Sequence, residues 1–155
     1  MKNCPQIIRF APWCLLALVL TACGGAAAKT EWMTDAQAAM KEAKLEDRPI
    51  LLEFTGSDWC PPCQKMDEEV LNTAEFKAFS DKNLALLQLD YPKSKTLSAD
   101  LTAQNASLAK NYNISDYPTF VLLDKNGIFI DQKVGYTPGG PATIIGWIKD
   151  KGKIQ

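Results

Sequence analysis

The stretch Ile50-Leu51-Leu52-Glu53-Phe54-Thr55-Gly56-Ser57-Asp58-Trp59-Cys60-Pro61-Pro62-Cys63-Gln64-Lys65-Met66 decides the fold. Its first six residues form a compact apolar run interrupted only by Glu53, the pattern of a strand buried on both faces. Gly56-Ser57-Asp58 then turns the chain. From Cys60 the period changes. Cys63, Met66 and Val70 recur at spacings of three and four, which places them on one face of a helix running to about Leu71. Two cysteines therefore stand where a buried strand gives way to a helix. A thiolate is the reactive form of cysteine, and a helix N-terminus stabilises it through oriented N–H groups and the helix dipole. Pro61 suits the first helical position, where its missing N–H would have no partner. The two intervening residues bring Cys63 round to the Cys60 sulfur, so a mixed disulfide formed at Cys60 is resolved within the same chain.

Working outward toward the N-terminus, Thr34-Asp35-Ala36-Gln37 has the form of a capping box. The Ala-, Lys- and Glu-rich stretch that follows predicts a helix to about Glu46, stopped by Asp47-Arg48-Pro49. In the other direction, residues 72–75 look like a second capping box, opening a helix to about Asp81 that buries Phe76 and Phe79. Residues 84–90 form a second buried strand. Residues 91–102 are polar, with Pro92 and several Lys and Ser, and read as a loop longer than a minimal connection. A short helix is expected over 103–112 with Leu108 on its inner face. A strand follows over 119–123. Asp124-Lys125-Asn126-Gly127 makes a tight turn, and 128–134 is the hairpin partner. Pro138-Gly139-Gly140-Pro141 breaks the chain before a last helix from about Ala142 to Lys151. Alternating β and α units followed by a hairpin predict an α/β domain with a mixed sheet and helices on both faces.

Composition narrows the chemistry. The chain has 155 residues, 17 Lys and Arg against 18 Asp and Glu, and no histidine. This near-neutral balance offers no basic stripe for a nucleic acid. Without histidine the commonest general base and metal ligand are missing, and so is the usual partner of a catalytic Ser or Cys. With no histidine, and no cysteine besides Cys60 and Cys63 within the expected domain, a tetrahedral zinc site is not filled, so no metal is expected. A structural disulfide is a second alternative, but it would close a very small loop, where cross-linking stabilises least. A chance pair of buried thiols is a third.

The first residues stand apart from the domain. Lys2 and Arg9 make a basic start, and residues 10–22 are apolar apart from Pro12 and Thr21, too short a run to span a bilayer. This is the layout of a secretory signal. Leu20-Thr21-Ala22-Cys23 resembles the bacterial lipoprotein signal, in which the cysteine is lipidated and becomes the new N-terminus. The resemblance implies a signal peptide over 1–22, lipidation at Cys23, a flexible tether over 23–31 beginning Gly24-Gly25-Ala26-Ala27-Ala28, and a folded domain over 32–155. Of the five cysteines, Cys4 and Cys14 then leave with the leader, and only Cys60 and Cys63 stay free to react. Export places them where disulfides persist. The implied location is the cell envelope, lipid-anchored and facing the periplasm. In a Gram-negative cell the outer membrane is favoured, because Gly24 is not the acidic residue that favours inner-membrane retention.

Leu51-Leu52-Glu53-Phe54, Trp59-Cys60-Pro61-Pro62-Cys63-Gln64-Lys65-Met66 and the downstream Tyr117-Pro118-Thr119 together resemble the thioredoxin superfamily, over about residues 49–151. The chain is most similar to envelope thioredoxin-like proteins and to the C-terminal domain of the membrane thiol:disulfide interchange reductase. The resemblance implies a thioredoxin fold, with a central mixed sheet of four to five strands flanked by helices. It implies Cys60 as the exposed nucleophile and Cys63 as the resolving thiol. Pro118 matches the family's cis-proline, which with Tyr117 exposes backbone to a substrate strand. Glu53 matches the buried acid beneath the cysteines that takes the proton of Cys63, burial raising its pKa. The segment before Cys60 is one residue longer than in thioredoxin itself. Trp59, Pro61 and Pro62 are expected at the substrate face. Where thioredoxin has Gly-Pro, this chain has Pro61-Pro62, and two prolines remove two N–H donors near the Cys60 sulfur. A less stabilised thiolate makes a more reducing pair.

The expected activity is thiol–disulfide exchange on cysteine-containing envelope proteins, in the reducing direction, with no cofactor and with a membrane electron donor recharging the pair. No dimerisation segment is visible, so a monomer is expected and an isomerase disfavoured. The alternative from another class is a lipid-anchored thioredoxin-fold binding or chaperone module without redox turnover.

Overall fold

A computed structural model describes residues 31–154. The proposed leader, Cys4, Cys14, the lipidation candidate Cys23 and the tether up to residue 30 lie outside the described residues.

β1 (Ile50–Thr55) is the central element, and all six of its residues are buried. It pairs in parallel with β2 (Ala85–Asp90) on one side and antiparallel with β3 (Thr119–Leu123) on the other. β3 continues antiparallel into β4 (Phe129–Val134), giving a four-stranded mixed sheet of order β2-β1-β3-β4. A central strand has both faces covered, which explains why 50–55 shows no polar alternation. The outer edge of β2 is closed at Met33, which bridges Leu87: Met33 N donates to Leu86 O (2.9 Å) and Gln88 N to Met33 O (2.8 Å). An edge strand left bare would invite pairing with another chain.

Among the described residues five α-helices pack on the sheet: α1 (Ala36–Glu46), α2 (Pro61–Met66), α3 (Ala74–Asn83), α4 (Ala99–Asn111) and α5 (Pro141–Gly152). α2 runs on into a π-helical turn, Asp67–Leu71, closed by the Asn72 amide on Asp67 O at 2.8 Å. Side chains alternate across a strand. Leu51 therefore joins Leu86, Phe120 and Leu122 in a core completed by Met66, Phe76, Ile144 and Ile148. Leu52 and Phe54 join Leu87 and Val121 in a second core against Ala39 and Ala43 of α1 and Leu108 of α4. Glu53 alternates with Leu52 and Phe54, so it falls on the face that carries α2.

Three boundaries differ from the sequence reading, all through capping. α3 is capped by Thr73, whose Oγ1 accepts from Phe76 N at 3.2 Å, rather than by Asn72. α1 is capped by Asp35 rather than Thr34, because the Asp35 carboxylate accepts from both Gln37 N (2.8 Å) and Ala38 N (3.2 Å). The Thr34 carbonyl instead accepts from Gln104 Nε2 at 2.9 Å. The loop after β2 is shorter than 91–102. Ser98 Oγ accepts from Leu101 N at 3.2 Å and starts α4 at Ala99, within a stretch whose polarity reads as loop. No helix among the described residues is long and apolar enough to cross a membrane.

Candidate active site

β1 delivers the chain to the edge of the sheet, and Ser57 fixes the turn that follows. Its amide and hydroxyl both donate to the Asp90 carboxylate at the end of β2, at 3.0 and 2.7 Å. Cys60 then takes the N-cap position of α2, in an extended conformation, with Pro61 opening the first turn. The Cys60 carbonyl accepts from Cys63 N (3.0 Å) and Gln64 N (3.1 Å). The Cys63 amide also points at Cys60 Sγ, 3.3 Å away. With Pro61 and Pro62 carrying no N–H, Cys63 supplies the one amide directed at that sulfur among the described residues. The two sulfurs are joined, at 2.13 Å, with the Cα atoms 5.3 Å apart.

Cys63 has no exposed surface and Cys60 keeps only 4%. Cys60 is the less covered of the two sulfur-bearing residues, but it is far less open than the exposed position expected from the sequence. The Tyr117 carbonyl oxygen lies 3.7 Å from its Sγ. The Tyr117–Pro118 peptide bond is cis. Pro118 is buried, and its carbonyl accepts from Gly135 N at 2.7 Å, while Thr119 Oγ1 donates to Asp116 O at 2.7 Å, so this wall is held from both sides. Pro61 and Pro62 are exposed and Trp59 and Tyr117 half-buried, which leaves an open rim around the pair.

Trp59 and Tyr117 meet edge to face, ring centroids 5.8 Å apart, and Tyr117 leans on Tyr91 at 5.2 Å. Gly56 is required here: a Cβ at this position would lie 2.5 Å from the Trp59 ring. Gly56→Ala is therefore expected to displace the indole and cost about 1–3 kcal/mol. A changed tryptophan emission together with a lowered Tm would establish this. A variant matching the parent in both would mean the ring shifts freely.

Glu53 is wholly buried on the face that carries α2. Its Oε2 accepts from Gln88 Nε2 at 3.0 Å, its cross-strand neighbour in β2, while Oε1 has no partner among the described residues. Burial is the main cause that pushes its carboxyl up, from 4.5 to about 8. The charge of Asp67, one turn beyond Cys63, adds to this, the Gln88 bond opposes it, and Asp90 adds a little more. Asp67 is itself raised, by burial and then by Asp90. A neutral carboxyl at pH 7 and a carboxylate slightly above it is the range useful to a proton acceptor.

The structure thus brings Trp59, Cys60, Pro61, Pro62, Cys63, Tyr117 and Pro118 around one disulfide, with Glu53 on the face below α2. Sequence reasoning did not find Asp58, Gln88, Tyr91 or Lys93. Gln88 faces Glu53 only through strand register, and the other three meet across a loop; none leaves a local motif. Among the described residues, no group of three or more His, Cys, Asp or Glu is placed to hold a metal ion.

Comparison with known proteins agrees with this geometry. Residues 36–150 match the family model of the thioredoxin-like domain. The disulfide bond reductase DsbH of Chlamydia pneumoniae is 32% identical over 130 residues, covering 84% of this chain and 77% of that protein. The thioredoxin-related protein DsbJ of the same organism is 32% identical over 92 residues, 59% of this chain but 26% of DsbJ. A solved structure of the DsbH oxidoreductase superposes with a TM-score of 0.76 at 32% identity, covering 84% of this chain and 89% of that one. The oxidised C-terminal domain of Neisseria meningitidis DsbD, 18% identical, shares the fold with a TM-score of 0.55 over 78% of this chain and 99% of its own.

Proposed function

The chain belongs to the thioredoxin-like domain family, and from that premise we propose that it is a thiol–disulfide oxidoreductase that reduces disulfides in proteins of the cell envelope. The observation that carries the reading is the Cys60–Cys63 pair at the start of α2, the first sulfur at the rim and the second fully covered.

In the reduced protein the Cys60 thiolate attacks a substrate disulfide. A mixed disulfide forms and one substrate sulfur leaves as thiolate. Cys63, deprotonated by Glu53, then attacks the Cys60 sulfur. The second substrate thiolate leaves, and the Cys60–Cys63 disulfide closes. Two electrons pass from the cysteine pair to the substrate, and a membrane dithiol donor returns them. Trp59, Pro61, Pro62 and the Tyr117–Pro118 backbone receive the substrate chain. The leader over 1–22, lipidation at Cys23 and a tether over 23–31 place the domain over 32–155 on the envelope membrane as a monomer, facing the periplasm. Similarity to disulfide-handling relatives and the lipoprotein-like start of the sequence support this location.

The direction follows from Pro61-Pro62. With a single amide directed at Cys60 Sγ among the described residues, the thiolate is weakly stabilised, the reduced form is less favoured and the pair is more reducing. The reduced protein is expected to reduce insulin disulfides. In glutathione buffers the pair is expected to stay oxidised until the buffer is strongly reducing, nearer the thioredoxin value of about −270 mV than the strong-oxidant value of about −120 mV. A potential at the oxidant end would refute the reductase assignment.

A further inference from the structure

Residues 91–97 connect β2 to α4, and the exchange chemistry does not call for them. They are nonetheless fastened to the segment just before Cys60. The Asp58 carboxylate accepts from Lys93 N (3.0 Å) and Ser94 N (2.6 Å). The Lys93 ammonium lies 4.1 Å from the centroid of the Trp59 ring, within cation–π range. The Trp59 indole N–H donates to Tyr91 O at 2.7 Å. Tyr91 packs on Tyr117, whose carbonyl lies 3.7 Å from Cys60 Sγ. Asp58 is exposed to solvent, so core packing does not explain the bonds it collects. The Ser94 hydroxyl and the two amides hold its carboxyl down near 2, so the clip stays charged at physiological pH. The group these contacts surround, Cys60, is only 4% exposed.

We infer that Asp58 is a positioning residue and residues 91–97 a strap, which together hold Trp59 and Tyr117 beside Cys60 and set how readily an outside thiol reaches the disulfide. The inference deepens the proposed exchange reaction and rests on it. A strapped site restrains small thiols, whereas a partner that docks on the exposed Pro61-Pro62 rim supplies its own contacts for displacing the strap. Closure of this kind governs access without altering the chemistry it encloses.

The test uses the full chain carrying Cys4→Ser, Cys14→Ser and Cys23→Ser, so that Cys60 and Cys63 are the only thiols. Stopped-flow reduction of the oxidised pair by dithiothreitol is read beside hydrogen exchange at the Lys93 and Ser94 amides. In that reaction the dithiol becomes a cyclic disulfide and the two cysteines become thiols. Asp58→Ala is expected to unprotect both amides and raise the rate about ten-fold, the gain from releasing a predominantly closed state. The equilibrium constant with dithiothreitol is expected to stay the same, since a gate speeds both directions alike. Asp58→Glu, which keeps a charged acceptor, is expected to restore the slow rate. Lys93→Met, which keeps the backbone amide, is expected to raise the rate by a smaller factor, and it carries the test if Asp58→Ala does not fold. Lost amide protection with an unchanged rate would overturn the inference. So would a rate change matched by a shift in the equilibrium constant, which would place Asp58 in the sulfur chemistry itself. Failure of the proposed function looks different: the parent chain would exchange with dithiothreitol yet leave insulin intact.

Discussion

A Cys63→Ser variant accumulates mixed disulfides between Cys60 and its partner proteins, while Cys60→Ser forms none and reduces nothing. Both outcomes follow from the unequal exposure of the two sulfurs. Cys60 keeps 4% of its surface and has the Cys63 amide directed at it, whereas Cys63 is wholly covered. An incoming disulfide therefore meets Cys60, and resolution comes from inside. Intramolecular attack by a group held against its target corresponds to effective concentrations orders of magnitude above the millimolar thiol outside. Losing Cys63 is thus expected to slow release about a thousand-fold or more. Non-reducing electrophoresis of envelope extracts reads the trapped species, and added dithiothreitol should dissolve them. A Cys63→Ser protein that turns over like the parent would remove Cys63 from the mechanism. Trapping by Cys60→Ser instead would reverse the two roles. Indifference of both variants would favour the binding-module alternative.

The second large effect is the pH dependence set by Glu53. Its carboxyl titrates near 8 in the folded protein against 4.5 in an exposed setting, burial being the first cause and the Asp67 charge the next. Between these values the folded state holds a proton that the unfolded chain has lost. The contribution to stability is complete below pH 4.5 and is lost as pH rises through 8, at about 1.4 kcal/mol per pH unit between the two values. Glu53→Gln carries no charge at any pH and keeps an acceptor for Gln88. It is expected to abolish this slope, to match the parent near pH 4 and to exceed it by a few kcal/mol near pH 8. The same variant lacks the base for Cys63, so its rate of disulfide closure is expected to fall about a hundred-fold and to lose its rise toward pH 8. Denaturant midpoints across pH 4–9 and single-turnover rates measure the two effects separately. A slope that survives in Glu53→Gln would assign the titration to another acid, the half-buried Asp67, itself raised by burial, being the first candidate. A normal rate would leave Glu53 without a part in the reaction.

Much of the domain was legible before any coordinates. The run over 50–55 announced a buried strand, because a strand covered on both faces has no reason to alternate. The start of α3 was legible to within one residue: Thr73, next to the expected Asn72, caps it and accepts from the Phe76 amide at 3.2 Å. The hairpin over 119–134 declared itself through Asp124-Lys125-Asn126-Gly127, where Gly127 takes a positive φ of 82°. The misreadings at Thr34 and Asn72 arose where two neighbouring polar residues compete for one cap, and that at 91–102 because the first turn of α4 is itself polar. Only the geometry of the amides shows which side chain reaches them.

What the sequence determined by itself is the set of local events. These are the strand, the turn, the helix that begins at a cysteine and the second cysteine one turn on, each dictated by residues a few places apart. What the tertiary structure decided is everything that depends on distant partners. Gln88 comes to Glu53 through the pairing of β1 with β2, Lys93 and Ser94 come to Asp58 across the loop after β2, and Tyr117 comes over Cys60 from the segment that leads into β3. Burial and electrostatic coupling belong to the packed whole, so the closure of Cys60 and the raised carboxyl of Glu53 have no counterpart in local periodicity.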